Sequence, residues 1–92
     1  METNELNELP PDEDAKDVFL YIGRRYAINA FIPPTKLLIS LDLGKSLEEI
    51  DQAVKKLYDS ELVQQLQNGR VCLTWKGGKM YRDYRDSEKT VS

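Results

Sequence analysis

At 92 residues the chain has room for one domain, and a chain this short buries only about 60 to 65% of the surface its unfolded form exposes, which argues against a large catalytic cleft. Hydrophobic content of 40% with 32% charged residues fits a globular domain in water, and no apolar run approaches the roughly 18 residues a membrane-crossing helix needs. The net charge of −3 divides unevenly: residues 1–14 hold six of the 16 acids and no basic residue, which leaves 10 acids against 13 Lys and Arg in the remainder.

An acidic segment with so few apolar residues cannot offset its ordering entropy, so residues 1–14 are expected to be a disordered tail ahead of a mildly basic body over residues 15–86. The start of the chain lacks the basic flank and apolar stretch of a signal peptide, and a cytoplasmic location is expected, or a nuclear one in a eukaryote. The single cysteine, Cys72, has no internal disulfide partner. Without histidine there is no credible transition-metal cluster, so Cys72 is expected to be a small strand residue and no metal or cofactor is assigned.

Asp14 or Asp17 can cap a first helix running to about Ala30. At 100° per residue, Ala15, Val18, Phe19, Ile22, Tyr26 and Ala30 fall on one stripe, the expected core face. Tyr21 and Ile28, with Arg24 beside them, lie nearly opposite and are candidates for a partner or homodimer contact. Phe31 and Ile32 precede Pro33-Pro34, which hold the chain extended and can form a short strand beside a hairpin. Thr35 then caps a brief helix, TKLLISLDL, with Leu37, Leu38 and Leu41 expected inside and Gly44 in the left-handed position that ends it.

The following helix has the clearest start signal. Ser46 and Glu49 form a capping box, each side chain satisfying a backbone donor left free by the first turn. Leu47, Ile50, Val54 and Leu57 recur on one face, while Glu48, Asp51, Gln52, Lys55 and Asp59 point away. Asp51 and Lys55 stand at the i, i+4 spacing of a helix ion pair. Leu62-Val63 begin a strand, and Asn68-Gly69 signals a two-residue hairpin turn that would oppose Leu66 to Val71 and Gln65 to Cys72.

Thr74 can cap a last helix through about Arg85, with Lys76, Lys79, Arg82 and Arg85 forming a slowly drifting basic ridge. Gly77-Gly78 weakens that helix by up to about 1 kcal/mol per glycine relative to alanine, so packing must hold its first turn. Residues 87–92 are expected to fray. Trp75 and Tyr81 are expected to close the core where this helix meets the hairpin. The alternative for Trp75, Tyr58, Tyr81 and Tyr84 is a stacking platform for single strands.

This order, a capped helix ending in Leu62-Val63, a hairpin with Asn68-Gly69 at its tip and a closing Leu73-Thr74-Trp75-Lys76-Gly77, resembles the winged helix-turn-helix transcription regulators, particularly the small MarR-like and PadR-like kinds. The resemblance covers residues from about 15 to 85 and implies a mainly α fold with a small β-hairpin. It further implies that the third helix enters the major groove of duplex DNA and the hairpin wing touches its backbone. Lys45, Ser46, Gln52, Lys55 and Lys56 would then face the groove, and Asn68 and Arg70 would serve the wing.

Two features depart from the family. Its usual glycine before the Leu-Val pair is Glu61 here, and Glu48, Glu49 and Asp51 crowd the start of the third helix. Those acids suit the helix dipole, but beside DNA phosphates they offset the counterion release that supplies most non-specific affinity. A DNA-binding transcriptional regulator is therefore set against a protein-interaction module that docks through its acidic helix. Catalysis is not expected, since there is no histidine, phosphate loop or nucleophile-base arrangement.

Overall fold

The computed structural model describes residue 10 and residues 12–28 and 32–91, with side chains described through residue 87. Among these, helices α1 (Glu13–Ile28), α2 (Lys36–Leu43) and α3 (Leu47–Asp59) precede an antiparallel hairpin of β1 (Val63–Gln65) and β2 (Val71–Leu73). Helix α4 (Trp75–Val91) closes the chain. The protein is thus mainly α with one small hairpin, and no helix is long and apolar enough to cross a membrane.

Local chemistry sets most of the helix ends. The α1 cap is Asp12, not Asp14 or Asp17: its carboxylate accepts from the Ala15 amide at 3.0 Å. Glu13 and Asp14 therefore belong to the first turn of α1, where acids favour the helix dipole, and not to a tail. The remainder of that predicted tail, residues 1–9 and 11, lies outside the described residues, as do Ala30 and Phe31. Thr35 caps α2 through the Leu38 amide, and Gly44 ends it at φ +67. In α3 both halves of the Ser46–Glu49 capping box are formed.

The end of α3 shows how the missing glycine is handled. Glu61 itself adopts φ +65, its amide donates to Tyr58 O, and the Leu62 amide reaches back to Leu57 O at 2.9 Å. This is the double hydrogen bond by which a left-handed residue terminates a helix, here without glycine's freedom from Cβ strain. Glu61→Gly is expected to stabilise the fold by about 0.5 to 1 kcal/mol, less the entropy glycine adds to the unfolded chain. An unchanged or lowered urea midpoint would contradict this.

The core stripe of α1 is Ala15, Val18, Phe19 and Ile22, which meets Ile50, Ala53, Val54 and Leu57 of α3 and Val63, Val71 and Leu73 of the hairpin in one buried cluster. Full burial of each large aliphatic contributes about 1.5 to 3 kcal/mol. Tyr26 is not part of it but half exposed, and Leu47 likewise stands out at the start of α3. In α2 the buried side chain is Ile39, while Leu37 and Leu41, expected inside, are exposed. A helix of eight residues presents only one or two positions to its neighbours, and the α1 and α3 surfaces select Ile39.

The hairpin register differs by one residue from the expected one. Val63 opposes Leu73, Gln64 opposes Cys72 and Gln65 opposes Val71, with a turn over Gln67–Gly69 closed by Leu66 N to Arg70 O at 2.7 Å. Asn68 and Gly69 are both left-handed, as the Asn-Gly signal implies, but the loop holds three residues. The longer loop sets buried Val63 across from Leu73, whereas a two-residue turn would set Gln64 there. Since a slip of one exchanges the faces of a strand, apolar burial decides the loop length.

On its other edge β2 meets the segment before α2. Val71 donates to Pro34 O at 2.9 Å, and Thr35 and Arg70 form an antiparallel bridge. The segment after Pro33 thus meets the hairpin as expected, but through Pro34 and an isolated bridge at Thr35 in place of a short strand.

Helix α4 starts on Thr74, whose hydroxyl accepts from the Gly77 amide at 3.0 Å and donates to Glu61 O. The helix continues to Val91, past the Arg85 expected from sequence and through most of the segment expected to fray. Tyr81 packs edge-on to Phe19 at 6.3 Å between centroids and covers Gly23 so closely that a Cβ there would lie 2.3 Å from its ring. Trp75, expected in the core beside Tyr81, is 83% exposed.

Candidate nucleic-acid interface

The outward face of α3 and the hairpin tip hold the sequence-predicted contact residues, and the structure sorts them by what each already binds. Gln52 and Lys55 are exposed on α3, and no hydrogen bond or ion pair engages Lys55 among the described residues. Asn68 is exposed at the hairpin tip. These three are available to a ligand.

The other four are engaged. The Lys45 ammonium lies 2.9 Å from Asp14 and 3.7 Å from Asp17, and the Asp14 hydrogen bond holds its pKa above the ordinary lysine value against some desolvation. Lys56 lies 2.9 Å from Asp12. Its hydrogen bond, followed by the one from the Ala15 amide, holds the Asp12 carboxyl below its usual range. The Ser46 hydroxyl accepts from the Glu49 amide as part of the cap. The Arg70 guanidinium donates to Pro33 O, which locks it against the extended segment in place of projecting from the hairpin.

The acids that crowd α3 are sorted in the same way. Glu49 accepts from the Ser46 amide at 3.0 Å. Asp51 pairs with Lys36 of α2 at 3.1 Å, not with Lys55 as its spacing suggested. Glu48 is left exposed with no partner among the described residues. The face is therefore partly neutralised by its own chain: Lys45, Lys56 and Asp51 are matched, while Lys55 and Glu48 are in no pair among the described residues. Solvent-facing pairs such as Lys56–Asp12 contribute little to stability. The sequence pairing by i, i+4 spacing missed Lys36, and the aspartates 12, 14 and 17 that reach Lys56 and Lys45 carried no signal beyond their common sign.

The proposed partner surface on the back of α1 is not continuous. Tyr21 is buried, 5% exposed, and its hydroxyl donates to Asp42 of α2 at 2.5 Å, within the range of a charge-assisted hydrogen bond to a carboxylate. Burial first, and then that bond, push its pKa up to about 12. It is a tie between α1 and α2, leaving Arg24 and Ile28 as the exposed members of the set. On α2, Leu37 and Leu41 stand exposed one turn apart, with Leu47 beyond them in sequence. Cys72 is half-buried, and burial raises its thiol pKa, the setting of an unreactive cysteine.

Comparison with protein families, with characterised proteins and with solved structures finds no match for this chain.

Proposed function

We propose that the chain is a winged helix-turn-helix regulator that binds duplex DNA through α3 and the hairpin. The observation that carries this reading is the element order, three helices and then a hairpin whose β2 pairs with the extended segment before α2, together with the uncovered face of α3 bearing Gln52 and Lys55. Lys45 and Lys56 join that face once phosphates replace Asp14, Asp17 and Asp12, so the N-terminal aspartates restrain affinity.

Binding to mixed-sequence and enriched duplexes is expected at low salt and is expected to weaken log-linearly as salt rises. Lys55→Ala lowers affinity uniformly across sequences and reduces the salt slope by about one. Replacing Asp12, Asp14 and Asp17 together by asparagine, which keeps the α1 cap chemistry, raises affinity several-fold. Absence of any salt-dependent duplex binding at low salt rejects the reading.

A second reading is favoured by the α3 acids and by exposed Leu37 and Leu41: a protein-interaction module of the same fold. It calls for a stable partner complex that survives moderate salt and is lost on Leu37→Glu or Leu41→Glu. Tight operator binding by a chain that captures no partner rejects it.

A further inference from the structure

Away from α3, α1 and α4 leave a hollow of about 360 Å³. Three rings, Tyr26, Trp75 and Tyr81, line it together with three cations, Lys79, Arg82 and Arg85. Tyr26 is 52% and Trp75 83% exposed, so both are open to solvent. Lys79 leans toward Asp83 at 3.5 Å, whereas no ion pair engages Arg82 or Arg85 among the described residues. Lys45 before α3 and Lys56 on it are matched by aspartates; among the described residues these two arginines are not.

Gly78 also lines the hollow. A Cβ at that position would meet nothing within 4 Å, so no close approach requires glycine there. Its absent side chain weakens the helix and leaves the space beside Trp75 open. A second hollow of about 240 Å³ adjoins the first through Tyr81 and Arg85 and adds Leu20, Arg24 and Tyr84. Arginines and rings therefore line two joined hollows together, with Tyr81 and Arg85 bordering both.

We infer that this α1–α4 groove is a binding site for single-stranded nucleic acid, distinct from the duplex face. Exposed rings accept unstacked bases, which a duplex keeps hidden, and the arginines track the intervening phosphates. An acidic peptide would match the charge, but its apolar anchors call for aliphatic pockets, and the lining is mostly aromatic, cationic and glycine.

Trp75 is the only tryptophan and reports on its own site. The full chain is titrated at low salt with oligothymidylate and oligouridylate of about 15 nucleotides, the span of one stacking surface. Trp75 emission is expected to be quenched to saturation by either strand. By anisotropy of a labelled strand, Trp75→Ala weakens binding about tenfold. The pair Arg82→Ala and Arg85→Ala weakens it at least as much and lowers the salt slope. Lys55→Ala leaves single-strand affinity unchanged while reducing duplex affinity, so failure of the duplex reading and failure of this one are told apart. All four side chains are exposed, so the variants keep the fold.

Three results would overturn the inference. One is absence of single-strand binding at low salt. A second is equal quenching by polyglutamate of matched charge, which would assign the groove to acidic peptides. The third is a change in Trp75 emission on raising protein concentration alone, which would assign it to a second copy of the chain.

Discussion

Gly77→Ala is expected to lower stability by about 2 to 4 kcal/mol, the upper range for forcing a group into a filled site, while Gly78→Ala, one residue on, raises it by up to about 1 kcal/mol. A Cβ on Gly77 would sit 2.0 Å from the carbonyl oxygen of Leu62, 2.9 Å from its carbonyl carbon and 3.2 Å from its Cα. All three are backbone atoms, which cannot rotate away. The same oxygen accepts from the Thr74 amide at 3.0 Å, so moving it breaks the bond that ties the start of α4 to the turn between α3 and β1. The propensity gain from alanine is small beside that overlap.

At Gly78 the added methyl meets open space, and only the propensity gain remains. Urea midpoints of the two variants, with unchanged m-values, measure the difference directly. Equal effects of the two substitutions would mean that Gly77 does not press on the Leu62 backbone. The Gly77-Gly78 turn, which packing must hold, thus contains one glycine demanded by contact and one that is not.

The second large effect is alkaline. Tyr21, buried and donating to Asp42, has its pKa raised to about 12 from the ordinary value of about 10 in the unfolded chain. The folded state therefore holds the phenol proton more tightly. Its contribution is fully present below about pH 10 and is lost as pH rises through about 12, amounting to roughly 2 to 3 kcal/mol over the window.

Cys72 and Lys45 also have raised pKa values. Each adds loss in the same direction, Cys72 from a lower pH. Tyr21→Phe is expected to cost about 1 kcal/mol at neutral pH through the lost hydrogen bond and to flatten the fall between pH 10 and 12. Urea titrations across that range check it, and an equally steep fall in Tyr21→Phe would remove Tyr21 as the cause. Asp12, with a lowered pKa, acts oppositely: its contribution is present above the usual carboxylate range and is lost as pH falls below it.

Both effects fall on contacts between elements, and the same division separates what was legible in the sequence from what was not. The caps at Thr35, Ser46 and Thr74, the left-handed Gly44 and Asn68-Gly69, and the α3 stripe through Ile50, Val54 and Leu57 could all be read beforehand. Each depends on a hydrogen bond or a helical repeat closed within a few residues, which chain order alone encodes.

Tertiary structure decided the rest. Tyr21 and Trp75 exchanged their expected places because periodicity ranks faces without saying which neighbour covers them. Asp42 and the packing of α2 take Tyr21 in, and Tyr81 alone closes over Gly23 and Phe19 while Trp75 stays in solvent. The hairpin register turned on pairing Val63 with Leu73, a choice between loops of equal local merit. The α3 face follows the same rule: its lysines and acids were plain in the sequence, but their partners Asp12, Asp14, Asp17 and Lys36 come from other elements. Charge composition is local, whereas which charges remain unmatched is a property of the folded surface.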